Sequence, residues 1–474
     1  MPPVSAPAAS RVPATGPVQL FSAPWVLPVV RPPIREGAVA VDATGTILAV
    51  GPRADVLEGL APLTADETRC EGTLCPGLVN AHTHLELSWL AGAVPGGDGV
   101  IAWSRRLMER VTAAPASEDT RFGAARTAAQ AARALGTAAI GDVGNGILGW
   151  RAMAHAGLAG LFFHELVGSR ERRTGDALAD AAAERASVAE PALAGRAPAV
   201  PAVPAPHAPY SVGPDLIRRI FAAAAAAGRP STIHLAEDAD EIALLADGSG
   251  SWPTVLRAMG VDPRERAPGL APGAYLASLG VLGARDPDRG MTEPAPPPLL
   301  VHMVHAGADD RRRAREAGAT VVLCPRSNLH IGGRLPDVAA LIDDGVALAL
   351  GTDSLASAPD LSLWAEMRVL AAAWPQIPAV RWLEAATEGG ARALGLAATL
   401  GALERGRRPG LICVDIGIPP EEREPERALI TNANAAAVRW IVPITGVEAA
   451  PEPAGVGGFA IDPTSGPTPA SLSS

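Results

Sequence analysis

Eight short apolar runs recur along the middle of the chain, and they alternate with alanine-rich stretches of helical length. The runs are LVNAHTH (78–84), TAAIGDV (137–143), LFFHEL (161–166), AVPAVPAPH (199–207), TIHLAE (232–237), LLVHMVH (299–305), TVVLCP (320–325) and ALALGTD (347–353). Short, almost uninterrupted apolar runs are typical of parallel strands that are buried on both faces. Eight strand–helix units over roughly 330 residues therefore predict an α/β fold, a (β/α)8 TIM barrel.

The segments on either side of this region have another pattern. Residues 17–75 contain short apolar runs punctuated by Gly, Pro and Asp, which predict a set of β-strands without a helical period. A further β-like run, GLICVDI (410–416), lies far downstream and is followed by ALITNA (428–433) and AVRWIVP (437–443). Strand-rich sequence therefore flanks the predicted barrel on both sides.

These patterns divide the chain into segments. The predicted division is a disordered N-terminus (1–16), a first β-rich segment (17–75), the barrel (76–405), a second β-rich segment (406–446) and a disordered tail (447–474). Within the barrel, the Gly/Pro-rich residues 247–298 predict an insertion between the fifth and sixth strands.

Charge and composition exclude several classes of protein. The 40 Lys+Arg residues are all arginine, so the chain cannot form a Schiff base, build a P-loop or bridge two metal ions through a carboxylated lysine. The net charge is −10 and the arginines are scattered, which argues against nucleic acid as a partner. The 4 cysteines form no CxxC pair, so neither a disulfide scaffold nor a cysteine-based zinc site is expected.

The chain also lacks signals for a membrane or for export. No apolar run approaches the roughly 18 residues that a membrane helix needs. The first residues, MPPVSAPAAS, lack the basic and apolar regions of a secretory signal. These features predict a cytoplasmic protein without a membrane partner.

Residues with metal-binding side chains lie at the ends of several predicted strands. His82 and His84 close the first strand, His234 the fifth, His302 the sixth and Asp353 the eighth. In a parallel barrel these carboxyl ends meet at one mouth, where catalytic groups lie. Residues i and i+2 of a strand point to the same face, so His82 and His84 can reach one ion. With His234 and Asp353 they form an N3O donor set, which suits one divalent ion, Zn²⁺ or Fe²⁺.

Six segments resemble motifs of the amidohydrolase superfamily, and they occur in the order found in that superfamily. They are PGLVNAHTHLELS (76–88), PHAPYS (206–211), IHLAED (233–238), LVHMVH (300–305), CPRSN (324–328) and LGTDSLAS (350–357). The chain resembles the mononuclear cytosine/adenosine deaminase-like branch, which includes chlorohydrolases and S-adenosylhomocysteine deaminases, and HLELS is similar to a segment of aminodeoxyfutalosine deaminases. The resemblance implies a barrel with a small β-sandwich domain formed by the N- and C-terminal segments.

The resemblance also implies a role for each residue of the mouth. The implied metal ligands are His82, His84, His234 and Asp353. Asp353 would in addition accept a proton from the attacking water. Glu237 would act as the general acid/base that carries a proton to a ring nitrogen of the substrate. His302 would polarise or position the attacked carbon and its oxyanion.

Other polar residues of the mouth are expected to contact the substrate. This set contains His207, Glu86 and Ser327. Glu165, at the end of the third strand, has three open interpretations: it packs in the barrel, contacts the substrate or binds metal. His305 competes with His302, but the two differ by three residues and face opposite sides of a strand, so one of them enters the site. The position of the family motif favours His302.

The predicted activity is hydrolysis of a carbon–nitrogen bond other than a peptide bond. The substrate is expected to be a small aminated heterocycle, such as an adenine-type nucleoside, that loses ammonia after attack by hydroxide on the metal. The alternatives are loss of chloride or an alkylamine from a triazine-like ring, ring-opening of a cyclic amide, and a barrel without catalysis that serves as a binding module. The apolar surface and the β-rich segments are compatible with a homodimer.

Overall fold

The computed structural model of the chain describes residues 17–61, 65–168, 174–189, 200–283 and 296–444. The predicted disordered segments, 1–16 and 447–474, lie outside these residues. No helix in the described ranges combines the length and the apolar character that crossing a membrane requires.

Strands within the described residues fall into two groups, one in the middle of the chain and one near its ends. In chain order they are β1 (Val18–Val26), β2 (Ile34–Val41), β3 (Ile47–Pro52), β4 (Ala65–Arg69), β5 (Thr73–Pro76), β6 (Leu78–Thr83), β7 (Thr137–Gly144), β8 (Ala159–Leu166), β9 (Ala202–Pro206), β10 (Thr232–Leu235), β11 (Leu299–His302), β12 (Thr320–Leu323), β13 (Ala347–Leu350), β14 (Leu411–Val414) and β15 (Val438–Val442).

Helices connect most of the strands of the middle group. In chain order they are α1 (Arg53–Leu60), α2 (Val100–Ala113), α3 (Glu118–Ala134), α4 (Leu148–Ala156), α5 (Thr174–Ala189), α6 (Pro214–Ala226), α7 (Ala239–Asp247), α8 (Trp252–Ala258), α9 (Pro272–Ser278), α10 (Ala308–Glu316), α11 (Pro325–Gly332), α12 (Val338–Asp343), α13 (Leu363–Ala373), α14 (Val380–Glu384), α15 (Gly390–Ala393) and α16 (Pro425–Asn432).

The eight predicted strands of the middle region are present as β6 to β13. They form two four-stranded parallel sheets, β6-β7-β8-β9 and β10-β11-β12-β13. Every residue of β6, β7 and β8 is buried, as expected for strands covered on both faces. Backbone hydrogen bonds also run between residues of the two sheets, from His234 N to His207 O and from Thr352 N to His82 O, each 2.9 Å long.

Several strands end earlier than their apolar runs predicted. β10 ends at Leu235, and β11 ends at His302. Ala236, His302 and Met303 have φ angles of 52°, 76° and 52°. Side chains with a Cβ rarely adopt this left-handed region, and a strand does not continue through it. The predicted strand 299–305 is therefore too long, and His305 lies in the turn after β11 rather than on the opposite face of a strand.

The remaining strands form one sheet, which contains strands from before and from after the middle region. Its order is β15-β14-β5-β1-β2-β3, and β4 pairs with β1. β14 lies antiparallel to β5, with Leu411 opposite Pro76 and Cys413 opposite Leu74. Strands from the N-terminal and C-terminal parts of the chain are therefore hydrogen-bonded to each other in one sheet.

Two expectations for these segments were wrong: the first segment was expected to lack a helical period, and the run ALITNA was expected to be β-like. Residues 53–60 form α1, because Val56 and Leu60, four positions apart, present one apolar face that is buried against β1 and β2. The run ALITNA (428–433) lies mostly in α16, which begins with Pro425, a residue favoured in the first turn of a helix.

The predicted insertion, 247–298, contributes α8 and α9 among its described residues. α8 lies beside the carboxyl end of β9. Its first residue, Trp252, stacks on Tyr210 with ring centroids 3.9 Å apart. The insertion therefore supplies part of the wall above the strand ends.

Candidate active site

Three histidines meet at the carboxyl ends of β6 and β10. His82 lies near the end of β6, His84 directly follows that strand, and His234 lies in β10. One ring nitrogen from each residue lies within 4.8 Å of the other two. The His82 ring is edge-on to the rings of His84 and His234, at centroid distances of 4.8 and 5.0 Å. The three side chains therefore point at one common position.

Asp353, three residues after β13, completes this cluster. Its Oδ1 lies 3.6 Å from His84 Nε2 and 3.9 Å from His82 Nε2. Burial raises the pKa of this carboxyl, but the surrounding histidines and a hydrogen bond from Ser327 outweigh burial, so the pKa lies below its ordinary value. Asp353 is therefore an anion that faces the imidazole rings.

These donors fit a divalent cation. His82 is completely buried, and neither of its ring nitrogens has a hydrogen-bond partner among the described residues. Buried polar atoms without a hydrogen-bond partner are rare. A cation bound to the lone pair of the ring would explain why His82 has none. Burial is the main cause that lowers the pKa of His82, and it lowers the pKa of His84 to about 4. Both rings are therefore neutral at pH 7 and have a lone pair to donate.

The backbone fixes the orientation of the His234 ring. Its Nδ1 lies 2.9 Å from the carbonyl oxygen of His207, so Nδ1–H donates to that oxygen. The proton on Nδ1 leaves the lone pair on Nε2, which faces His84 Nε2 at 3.4 Å. A metal-binding histidine is commonly held in this way by a hydrogen bond from its other nitrogen.

A carboxyl–imidazole pair lies beside the histidine cluster. Glu237 Oε1 is 3.6 Å from His302 Nε2. Asn328 Nδ2 lies 2.9 Å from His302 Nδ1 and donates to it, which leaves the proton of His302 on Nε2. Burial, and then repulsion by Asp353 and other carboxylates, raises the pKa of Glu237 well above its ordinary value. These surroundings therefore favour the protonated form of Glu237, which is the form that can donate a proton.

The residues of both groups, except His82, line one cavity of about 1050 Å³. Its inner wall is polar and contains His84, Glu86, Asn145, Glu165, His207, His234, Glu237, His302 and Asp353. Its outer wall is mainly apolar, from α2 and the region of α8, and includes Ile101, Leu107, Met108, Val255 and Met259. This combination of an apolar cleft and convergent polar groups is typical of a small-molecule site.

The chain matches the model of one protein family. The model of a family described as "Amidohydrolase family" matches residues 73–445. The chain belongs to the amidohydrolase family.

Three similar proteins narrow the comparison for this amidohydrolase. The aminodeoxyfutalosine deaminase of Deinococcus radiodurans is 31% identical, over 76% of this chain and 81% of the relative. The 5-methylthioadenosine/S-adenosylhomocysteine deaminase of Halobacterium salinarum is 31% identical, over 81% of each chain. A solved adenosine deaminase from Xanthomonas campestris with bound zinc is 26% identical, with a TM-score of 0.69 over 91% of this chain and 93% of that chain.

Two of the three predicted substrate contacts of this amidohydrolase line the cavity. Glu86 accepts hydrogen bonds from the backbone N–H groups of Asn145 and Gly146, at 2.8 and 3.1 Å. His207 Nδ1 lies 2.6 Å from Ser211 Oγ, and burial lowers the pKa of His207 to about 4. Both side chains are therefore fixed by the protein and face the space above the histidine cluster.

Ser327 occupies a different place in the amidohydrolase site. It is fully buried and does not occur among the described residues that line the cavity. Its Oγ donates to Asp353 Oδ2 at 2.5 Å, and Ser357 Oγ donates to the same oxygen at 3.2 Å. Ser327 therefore contacts Asp353 directly, and its contact with a substrate stays a prediction.

Sequence reasoning did not single out Glu241 of this amidohydrolase. Glu241 is fully buried at the start of α7, and its two oxygens accept the backbone N–H groups of Ala236 and Glu237 at 3.0 and 3.1 Å. These bonds hold the turn that carries Glu237 into the cavity. Its spacing of four residues from Glu237 was the available signal, but an acidic residue in a first helical turn is ordinarily explained by the helix dipole.

We expect the change Glu241→Gln to lower kcat about tenfold and to leave KM and metal content nearly unchanged. A glutamine side chain has one acceptor oxygen and cannot bind both N–H groups, so the turn that positions Glu237 loosens. Steady-state kinetics and metal analysis of the variant check this prediction. Asp247→Asn, at the exposed end of the same helix, is the matched control; a rise in KM with kcat intact would contradict the positioning role.

Proposed function

We propose that this chain is a mononuclear metal-dependent hydrolase that removes the amino group of an adenine-type nucleoside as ammonia. The observation that carries the proposal is the placement of the Glu237–His302 pair beside the cluster of His82, His84, His234 and Asp353 in one cavity. This arrangement sets a proton donor and a general base on two sides of the position where a ring carbon can lie. The names of the deaminase relatives support the same chemistry.

The metal ligands in this proposal are His82, His84, His234 and Asp353. Zn²⁺ is the proposed ion, because three imidazoles and one carboxylate are a common zinc donor set, and because the related adenosine deaminase structure contains zinc. When bound, the metal acts as a Lewis acid that lowers the pKa of water to about 7.

Asp353 has a second task in the proposed reaction besides metal binding, and each residue that is not a ligand has one task. Asp353 accepts a proton from the attacking water, and Ser327 and Ser357 hold its Oδ2 in place. Glu237 donates its proton to the ring nitrogen next to the attacked carbon. His302 donates a hydrogen bond from Nε2 to the oxygen added at that carbon. The proton that Asp353 took from water passes to the amino group, the carbon–nitrogen bond breaks and ammonia leaves. The proton of the added hydroxyl group returns to Glu237 as the ring carbonyl forms.

The proposal extends to the architecture. β6 to β13 form a closed barrel within residues 76–405, and residues 17–75 and 406–446 form a small β-sandwich domain. The backbone hydrogen bonds at both junctions of the two parallel sheets support closure. The pairing of β5 with β14 supports a second domain made from both parts of the chain.

Ammonia release from the zinc-loaded chain is the direct test. The panel contains adenosine, 5′-methylthioadenosine, S-adenosylhomocysteine, aminodeoxyfutalosine, a pterin and a chlorotriazine. We expect ammonia from at least one nucleoside. Release of chloride, an alkylamine or a ring-opened product without ammonia would assign the other leaving groups, and a metal-loaded chain inactive on the whole panel would indicate a binding module.

Removing the metal is expected to lower the free energy of unfolding by roughly 4 kcal/mol at a free zinc concentration 1,000-fold above Kd. The ion binds the folded chain, because its ligands come from strands distant in sequence that meet only after folding. Thermal unfolding with zinc and with a chelator measures the difference. His82→Ala is the matched variant, and its unfolding should no longer respond to zinc; an equal response in the two proteins would contradict the assigned ligands.

A further inference from the structure

A buried carboxylate from α13 holds the first turn of α11. Glu366, in α13, is fully buried, and its two oxygens accept hydrogen bonds from Arg326, one from the backbone N–H at 3.0 Å and one from Nε at 2.6 Å. Arg326 Nη2 also donates to the carbonyl oxygen of Asp360 at 2.7 Å. Neither Glu366 nor Arg326 is among the described residues that line the cavity. The proposed reaction therefore gives this pair no task of its own.

The start of α11 needs an acceptor from outside the helix. The first N–H groups of a helix have no partner within it, and the side chain at the N-cap commonly accepts one of them. The N-cap here is Cys324, whose side chain forms no capping hydrogen bond. Pro325 has no N–H, so the N–H of Arg326 is the first that needs an acceptor. Glu366 supplies it, and the helix dipole favours a carboxylate at this end.

The next two residues of the same turn contact the proposed proton-transfer groups. Ser327 Oγ donates to Asp353 Oδ2 at 2.5 Å, and Asn328 Nδ2 donates to His302 Nδ1 at 2.9 Å. His302 ends β11 and Asp353 follows β13, so the two acceptors come from the strands on either side of β12. A shift of the first turn of α11 would therefore disturb both hydrogen bonds together.

We propose that Glu366 and Arg326 are positioning residues of the active site. By fixing the first turn of α11, the pair sets the orientation of Asp353 and keeps the proton of His302 on Nε2. Hydrogen bonds between charged groups are stronger than neutral ones, so the pair restrains the turn more firmly than a neutral cap would. The inference rests on the proposed deaminase function and adds two residues outside the cavity to it.

The test compares the zinc-loaded wild-type chain with Glu366→Gln, on the nucleoside from which the wild type releases ammonia fastest. Glutamine keeps one acceptor oxygen but turns an amide N–H group toward a donor of Arg326, so the turn is held less firmly. We expect kcat to fall about 30-fold, as for the loss of a hydrogen bond to a charged group, and KM to change by less than about threefold.

Glu388→Gln is the matched control for this variant. Glu388 is 5% exposed, lies outside the described cavity lining, and pairs with Arg407 at 2.6 Å. The control should lower the temperature of unfolding, as Glu366→Gln does, and leave kcat unchanged. An equal fall of kcat in the two variants would show that lost stability is the cause, and would overturn the inference.

A double variant removes both charges, so that neither is left buried without a partner. Replacing both members of a buried ion pair by apolar residues often preserves the fold. Arg326→Met/Glu366→Leu should therefore still bind zinc, yet lose kcat about 30-fold, because the backbone N–H at position 326 lacks its acceptor. Wild-type kcat in this double variant would contradict the positioning role.

The tautomer of His302 gives a readout that does not depend on turnover. In nitrogen NMR spectra of the zinc-loaded chain with labelled histidine, His302 should carry its proton on Nε2, and loss of a signal in His302→Asn assigns it. Glu366→Gln should shift this signal toward mixed tautomers, and Glu388→Gln should not. If no nucleoside releases ammonia, the deaminase proposal fails and the spectrum decides: an unchanged His302 signal in Glu366→Gln would overturn the inference.

Discussion

The change Glu237→Gln is expected to reduce the rate of ammonia release about a thousandfold. Glutamine has nearly the same shape but cannot give a proton to a ring nitrogen. Burial of the site raises the pKa of Glu237, which favours the protonated form that can donate. Because Glu237 is not among the assigned ligands, the bound metal should remain. The measurements are kcat/KM for the best nucleoside and metal content per chain.

Asp247→Asn is the control for this variant, since it changes a carboxylate on the exposed end of α7. Its rate should match that of the wild type. A Glu237→Gln variant that keeps more than about a tenth of the activity would show that another group protonates the substrate, and His302, 3.6 Å away, would be the first alternative.

The change Asp353→Asn is expected to reduce the rate about 10⁴-fold and also to weaken zinc binding. Asparagine carries no charge for the ion and cannot take up the proton of water. The loss of activity therefore combines a missing proton acceptor with weaker zinc binding. The rate at saturating zinc measures the first effect, and a zinc titration measures the second.

Ser327→Ala is the comparison for Asp353→Asn, because it removes a hydrogen bond to Oδ2 and leaves the carboxylate in place. We expect a loss of about tenfold, in line with one hydrogen bond to a charged group. If Ser327→Ala and Asp353→Asn lost the same activity, the position of Asp353, and not its charge, would be the decisive property.

The fold was largely predictable, because fully buried parallel strands leave an apolar signal that is independent of context. All eight runs of the middle region correspond to strands. The prediction errors lie where tertiary contacts determine the secondary structure. α1 is held by Val56 and Leu60 against a sheet that the local sequence does not reveal. The carboxyl ends of β10 and β11 are set by residues with positive φ, for which the sequence gives no signal.

The sequence predicts which side chains come together in the site, because the carboxyl ends of parallel strands converge. Their hydrogen-bond partners were not predictable. The hydroxyl of Ser327, which follows β12, is buried and donates a hydrogen bond to Asp353 Oδ2. Glu241 and Asn145 act on residues from other turns or strands, and such contacts depend on loop conformations that a single sequence does not specify.

The pairing of β5 with β14 has a consequence for how this chain is made. More than three hundred residues separate the two strands, so the ribosome needs about 15 to 70 s to reach the second one at 5–20 residues per second. During that interval the nascent chain presents the buried edge of β5 without its neighbour, and an open strand edge invites pairing with other chains. Chaperone demand and yield should therefore depend on translation speed between residues 77 and 410.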